Sequence, residues 1–290
     1  MRILKQTGNE VHVEFDNVRD MVAVRNMPRE QTKFTVSEEQ NAKRTKFTGT
    51  ASYDEAADLA INGWHDGMVK LAALTDSGIQ RLDRAPIREV LHDVAGFSPN
   101  VPMYCAGMPD CMMQYDEVTK PSVLRLVVDG SRHAGVKADQ IMNYGAALLA
   151  YVECIEAEGI RCEIWMGFCT DASGKECSVR VRVKESDQPF DYPGLAFALA
   201  HASMHRRIHW RVKEQFADMW ASCGRAMGGW GSSYGSADQY PLRMFDGDTI
   251  FRVPAINDTH DMCGTLDGAM KVFEAQIKNV LRSYSEYETA

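Results

Sequence analysis

Hydrophobic positions recur along the chain with two periods, and these mark most of its elements. The run Val123-Leu-Arg-Leu-Val-Val128, bounded by Pro121 and Asp129-Gly130, predicts a buried strand. From Lys137 to Glu158 the apolar positions fall at Ile141, Gly145, Leu148, Leu149, Val152 and Ile155. That is the period of an amphipathic helix, and Gly159 stands where a left-handed cap is wanted. Ile160, Cys162, Ile164 and Met166 then alternate with Arg161 and Glu163, which predicts a second strand. Strand, helix and strand in this order form a βαβ unit with parallel strands. After the turn Asp171-Ala-Ser-Gly174, Val179, Val181 and Val183 alternate with Arg180, Arg182 and Lys184. A turn this short joins antiparallel strands. One apolar and one basic face place this strand at an edge with a solvated side.

The flanking regions carry weaker patterns. Residues 1–50 read as a peripheral arm, with strand alternation from Val11 to Phe15 and a polar stretch from Thr35 to Gly49. Lys33, Lys43, Arg44 and Lys46 make that stretch a solvated loop. Ser52 and Glu55 fit a capping box for a helix through Ala56, Leu59 and Ala60, stopped by Gly63. A second helical stretch runs from Gly67 to Leu74. Residues 93–122, rich in Pro, Gly, Cys and Met, predict irregular structure packed on the core by Met103, Tyr104, Met108, Met112 and Met113. Pro193 starts a helical tract that reaches about Cys223, and the Gly-rich loop Gly228 to Gly235 follows. Ile250 to Val253 is a strand, and Leu266 to Tyr284 is a closing amphipathic helix. The pattern predicts an α/β protein: an N-terminal α+β extension over residues 1–120, packed on an α/β domain over residues 121–290.

Composition narrows the class. With 290 residues, 45% hydrophobic and 25% charged, the chain has enough apolar material for a sizeable core. Disordered, collagen-like and coiled-coil chains are excluded. Lys and Arg total 32 against 40 acids, a net charge of −8, which disfavours a wholly basic nucleic-acid coat but permits a local basic face. The eight cysteines lack zinc-ribbon spacing and read as reduced thiols of an intracellular protein. No apolar run approaches the ~20 residues needed to cross a bilayer. The start Met1-Arg-Ile-Leu-Lys-Gln-Thr-Gly has no apolar targeting core, so no membrane partner is expected.

The densest candidate chemistry lies between His201 and Lys213. Met204, Ile208, Val212 and Phe216 supply a buried helical stripe, leaving Arg206, Arg207, Trp210, Arg211 and Lys213 to project from the other faces. Cations beside an aromatic platform are the ingredients of single-strand binding. Arg180, Arg182 and Lys184, in a row along one strand face, would extend that surface, and Trp230 and Tyr234 in the Gly-rich loop would close over a ligand. The plainer alternative is a solvated helix, a charged edge and aromatics tucked onto the core. His201, His205 and His209 follow at four-residue steps, at which neighbouring pairs can share a zinc, but no glutamate completes a His-Glu-x-x-His motif. No nucleophile elbow, phosphate loop or dinucleotide fingerprint occurs, and a non-catalytic protein is expected.

The order of parallel strand, helix, strand, antiparallel hairpin and helix resembles the first half of a von Willebrand factor A-type (Rossmann-type) domain. Such domains often hold a divalent metal through an Asp-x-Ser-x-Ser loop. The matching place here reads Asp129-Gly-Ser131-Arg-His133, and Asp258 would stand for a later acidic ligand. The resemblance thus implies Mg²⁺ at Asp129, Ser131 and Asp258, although an imidazole in that loop does not suit it; no other cofactor is expected. The stretches Tyr53 to Trp64, Leu91 to Tyr115 and Ser122 to Phe216 also resemble a family encoded by bacteriophages and prophages. The core Tyr144 to Ala150 and the run Leu195 to His201 carry that likeness. It implies a viral origin and the host cytoplasm, with no assigned activity.

These readings give three expectations for function. The first is binding of single-stranded nucleic acid, such as single-stranded DNA, as an accessory factor in transcription or replication. The second is a protein–protein adaptor of von Willebrand A type, acting on a phage or host protein such as polymerase machinery. The third is a metal-dependent enzyme.

Overall fold

The computed structural model describes residues 1–7, 10–27, 43–81, 90–115, 123–132, 135–157, 160–172, 175–216, 250–253 and 255–274. Its strands in chain order are β1 (Arg2–Gln6), β2 (Glu10–Phe15), β3 (Val90–Asp93), β4 (Ser98–Pro99), β5 (Met112–Tyr115), β6 (Val123–Asp129), β7 (Arg161–Ala172), β8 (Lys175–Lys184) and β9 (Ile250–Arg252). Six of them form one mixed sheet in the order β1-β2-β8-β7-β6-β9. The architecture is α/β, as the periodicities predict. β6 and β7 are parallel and joined by the helix Ala138–Ala157, so the expected βαβ unit is present. β7 and β8 form the expected antiparallel hairpin.

Two elements differ from the expectations. The antiparallel strand β8 is not at the edge: β2 pairs with it in parallel from Glu10↔Glu176 to Phe15↔Val181, and β1 then covers β2. The N-terminal arm therefore supplies strands to the same sheet, and one continuous apolar core runs from Val11 to Phe273. The reason is that β8 presents Val179 and Val181 inward, and β2 offers the matching alternation of Val11, Val13 and Phe15. The second difference is at residues 90–115. Instead of irregular structure, β3, β5 and β4 form a small antiparallel sheet in that order.

Helices among the described residues include α1 (Val18–Val22), α2 (Tyr53–Asn62), α3 (His65–Arg81), α4 (Val101–Cys105), α5 (Ala138–Ala157) and α6 (Tyr192–Ala200). Ser52 caps α2 by accepting the Glu55 amide at 3.0 Å, and the Glu55 carboxylate reaches back to the Ala51 amide at 2.6 Å, closing the predicted box. Gly63 ends it at φ +87°, where an added Cβ would lie 2.4 Å from Pro193 Cβ. α3 is longer than the predicted stretch; a Cβ on its Gly67 would lie 2.1 Å from Trp64 Cδ2, and its Gly78 faces Ala150 of α5 with more room, at 3.1 Å. α5 is buried along most of its length, with Ile141, Leu148, Leu149, Val152 and Ile155 inward as predicted. Part of the closing helix is described, at 266–274, and Phe273 packs on Tyr144 and Tyr151 of α5.

Candidate functional site

α6 begins with Asp191 accepting the Gly194 amide and ends at His201, whose backbone is extended. The chain then turns helical again and passes through a π-helix, Met204–His209, before the turn Trp210–Lys213. A wide turn of this kind rotates successive side chains away from α-helical positions. Met204, Ile208 and Val212 are in the core as the stripe predicts.

The arginines beside them, Arg206, Arg207 and Arg211, do not project. Arg206 and Arg207 are only 3% and 4% exposed. Arg206 donates to the carbonyls of Phe47 (2.7 Å) and Val136 (2.8 Å), and its guanidinium lies 3.9 Å from the centre of the Phe47 ring. Arg207 donates to Thr48 Oγ1 (3.0 Å) and the Thr50 carbonyl (2.5 Å). Arg211, also buried, donates to the Met27 carbonyl at 2.8 Å and lies 3.8 Å from Glu214. Ser203 donates to the Thr48 carbonyl at 2.5 Å and meets the Thr50 hydroxyl at 2.9 Å. The correction has a physical cause: residues 47–50 and 136 bring carbonyls into the interior, and arginines meet them with several donors each. Burial and the neighbouring Arg132 push the Arg206 pKa down to about 10. Trp210 is half-buried, and the Lys213 side chain lies outside the described residues, as do Trp230 and Tyr234.

The histidines are likewise interior. His209 stacks on Phe168 with ring centroids 3.8 Å apart, and His205 lies 3.2 Å away between Nδ1 atoms. His201 packs edge-on to Trp64 and stacks with Phe197, and its Nδ1 accepts the Ser203 amide at 3.1 Å. Burial brings the His201 pKa down to about 4, so it is neutral at physiological pH.

The strand row is broken. A bulge between Ile164 and Trp165 puts Arg182 opposite Trp165 but Lys184 opposite Ile164. Arg180 donates to the buried Glu14 on β2 and lies 5.5 Å from the Trp165 ring, while Arg182 pairs with Glu185 at 2.8 Å. Lys184 is buried, pairs with Glu156 at 2.7 Å and donates to the Cys162 carbonyl. Each cation of the row is thus matched to a carboxylate.

At the C-terminal end of β6, Asp129 accepts the Ser131 amide at 2.8 Å. The neighbouring Arg132 is buried, donates to the carbonyls of Asp129 (2.5 Å) and Ser131 (2.8 Å), and lies 5.3 Å from the Tyr144 ring. A fixed guanidinium at this loop does not fit a divalent cation, whose charge it would repel. Asp258 lies on the turn Ile256–Thr259, with its side chain outside the described residues. Among the described residues no group of three His, Cys, Asp or Glu side chains is placed to hold a metal. Among them, too, no helix is long and apolar enough to cross a membrane.

The surface that sequence reasoning missed is the small sheet. Tyr104 and Met108, expected to fill gaps in the core, are exposed, as are Val94, Phe97 and Val101. Phe97 and Tyr104 are 58% and 68% exposed. The sheet is held by its own ladder, by Asn100 capping α4 and by the Phe97 amide donating to the Met113 carbonyl at 2.9 Å. Cys111 is buried, and none of residues 92–114, whose side chains are described, belongs to the main core. Val101 and Tyr104, one turn apart on α4, share a face of that helix. The available signal was the spacing: single apolar residues separated by Pro, Gly and Asn fit neither helical nor strand periodicity, so no one stripe could bury them together.

None of the curated proteins and none of the solved structures matches the chain. The model of one family, described as a domain of unknown function (DUF7192), matches residues 4–270, and the chain belongs to that family.

Proposed function

We propose that the protein is a docking module for another polypeptide, and that the lobe over residues 90–115 is its contact surface. The observation that carries this reading is the exposure of Val94, Phe97, Val101, Tyr104 and Met108 within that short span. Their exposed parts sum to on the order of 500 Å² of apolar surface within 15 residues of chain, with Val101 and Tyr104 on one face of α4. Covering it contributes roughly 10 kcal/mol before the cost of association. Aromatic anchors such as Phe97 and Tyr104 are the usual centres of such contacts.

The single-strand reading is less well supported, because Arg206, Arg207 and Arg211 donate to interior carbonyls and Arg180, Arg182 and Lys184 are matched to carboxylates. The viral resemblance would make the docked polypeptide a phage or host protein.

A photo-cross-linking amino acid placed at position 97 or 104 tests the reading in cells that make the protein. The expected result is a discrete adduct with another polypeptide, lost when the cross-linker stands at the exposed Asp58 of α2. Equal, diffuse labelling from all three positions would remove the lobe as a docking surface.

A further inference from the structure

Resting on the docking reading, we infer that the lobe's partner is a peptide segment whose apolar residues are flanked by lysine or arginine. The exposed apolar side chains define half of that chemistry, and charge defines the rest. From Glu89 to Thr119 the sequence holds five acids and no lysine or arginine. Within the described part of the lobe the fixed charges are Asp93 and Asp110, both exposed. Asp93 accepts the Val94 amide at 2.6 Å and the Gln114 side chain at 3.3 Å, both neutral donors, and among the described residues no cation pairs with it. The rest of the molecule is also anionic, at −8. A second copy of the chain would therefore bring carboxylates against carboxylates, whereas a segment with cationic flanks is attracted as it approaches and keeps its apolar residues for Phe97 and Tyr104.

The test uses the full chain and a short synthetic peptide of alternating valine and lysine, with a valine–glutamate peptide as control, read by fluorescence anisotropy. The lysine peptide is expected to bind at least about tenfold more tightly than the control and to weaken as salt is raised. Phe97→Ser and Tyr104→Ser leave the charge unchanged. Each is expected to weaken binding by about tenfold, with an unaltered circular dichroism spectrum. Asp110→Asn is expected to reduce the salt dependence. Equal affinity for the two peptides would overturn the inference, and so would lysine-peptide binding that ignores both serine variants, since this would be a general attraction to an anionic protein. A discrete cross-link at position 97 or 104 without preference for the lysine peptide would sink the charge chemistry and leave the docking reading standing. Absence of both would end both.

Discussion

Arg206 ties together two segments distant in sequence through the carbonyls of Phe47 and Val136. Its replacement by alanine takes the donor from the buried Val136 carbonyl and from the part-buried Phe47 carbonyl. At about 1–3 kcal/mol for each unsatisfied group, Arg206→Ala is expected to lower the unfolding free energy by roughly 2–5 kcal/mol in urea titrations. Arg206→Lys should recover little, because one ammonium cannot span two carbonyls as a planar fork does. A loss below about 1 kcal/mol would show that Arg206 is not a structural tie. His201 contributes differently. Its pKa is about 4 in the fold against the ordinary value of 6.5, so the unfolded chain binds more protons than the native one between those values. The neutral imidazole's contribution is therefore complete above pH 6.5 and declines as the pH falls through 4, by about 2–3 kcal/mol. His201→Asn keeps an acceptor for the Ser203 amide, its Oδ1 standing where Nδ1 does, and should flatten this acid limb relative to wild type. An unchanged slope would place the acid sensitivity elsewhere.

Among the elements, α5 and α6 meet at Gly145 and Ala200, where α5 has no room for even a methyl group. A Cβ on Gly145 would lie 2.7 Å from Ala200 Cβ and 3.1 Å from the Leu199 carbonyl oxygen. Alanine gains up to about 1 kcal/mol over glycine inside a helix. Overpacking against backbone costs about 1–3 kcal/mol, so the clash wins. Gly145→Ala is expected to reduce stability and melting temperature. Gly78→Ala in α3 should be close to neutral, because its tight neighbours at 3.1 Å are the tip of Met270 and a methyl of Ala150. Thermal melts of the two variants decide it: equal shifts would mean that the α5–α6 contact is looser than its geometry. The elements themselves were largely legible. The Ser52–Glu55 box, the rhythm of α5 and the alternation of β7 are local signals, and each stands where its pattern puts it. The π-turn at Met204–His209 was not legible, since the same apolar spacing also suits an α-helix.

For the whole molecule, the decisive arrangements join residues far apart in the chain. β2 reaches β8 through pairs such as Glu14 with Arg180, 166 positions away, and so converts a predicted edge into the interior of a sheet. The lobe at 90–115 does the reverse, leaving Tyr104 and Met108 in water where the sequence suggested core. The sequence alone determined the α/β class, the βαβ unit, both ends of α2 and α5 and the apolar side of β2, β6, β7 and β8, because period, caps and glycines act within a few residues. Only the tertiary structure decided which cations face water. An arginine on a basic segment is identical in sequence whether it meets solvent or a buried carbonyl, and Arg206 meets the carbonyl of a residue 159 positions away. The cost of an unpaired interior carbonyl fixes that choice, and the packed fold determines where such carbonyls lie.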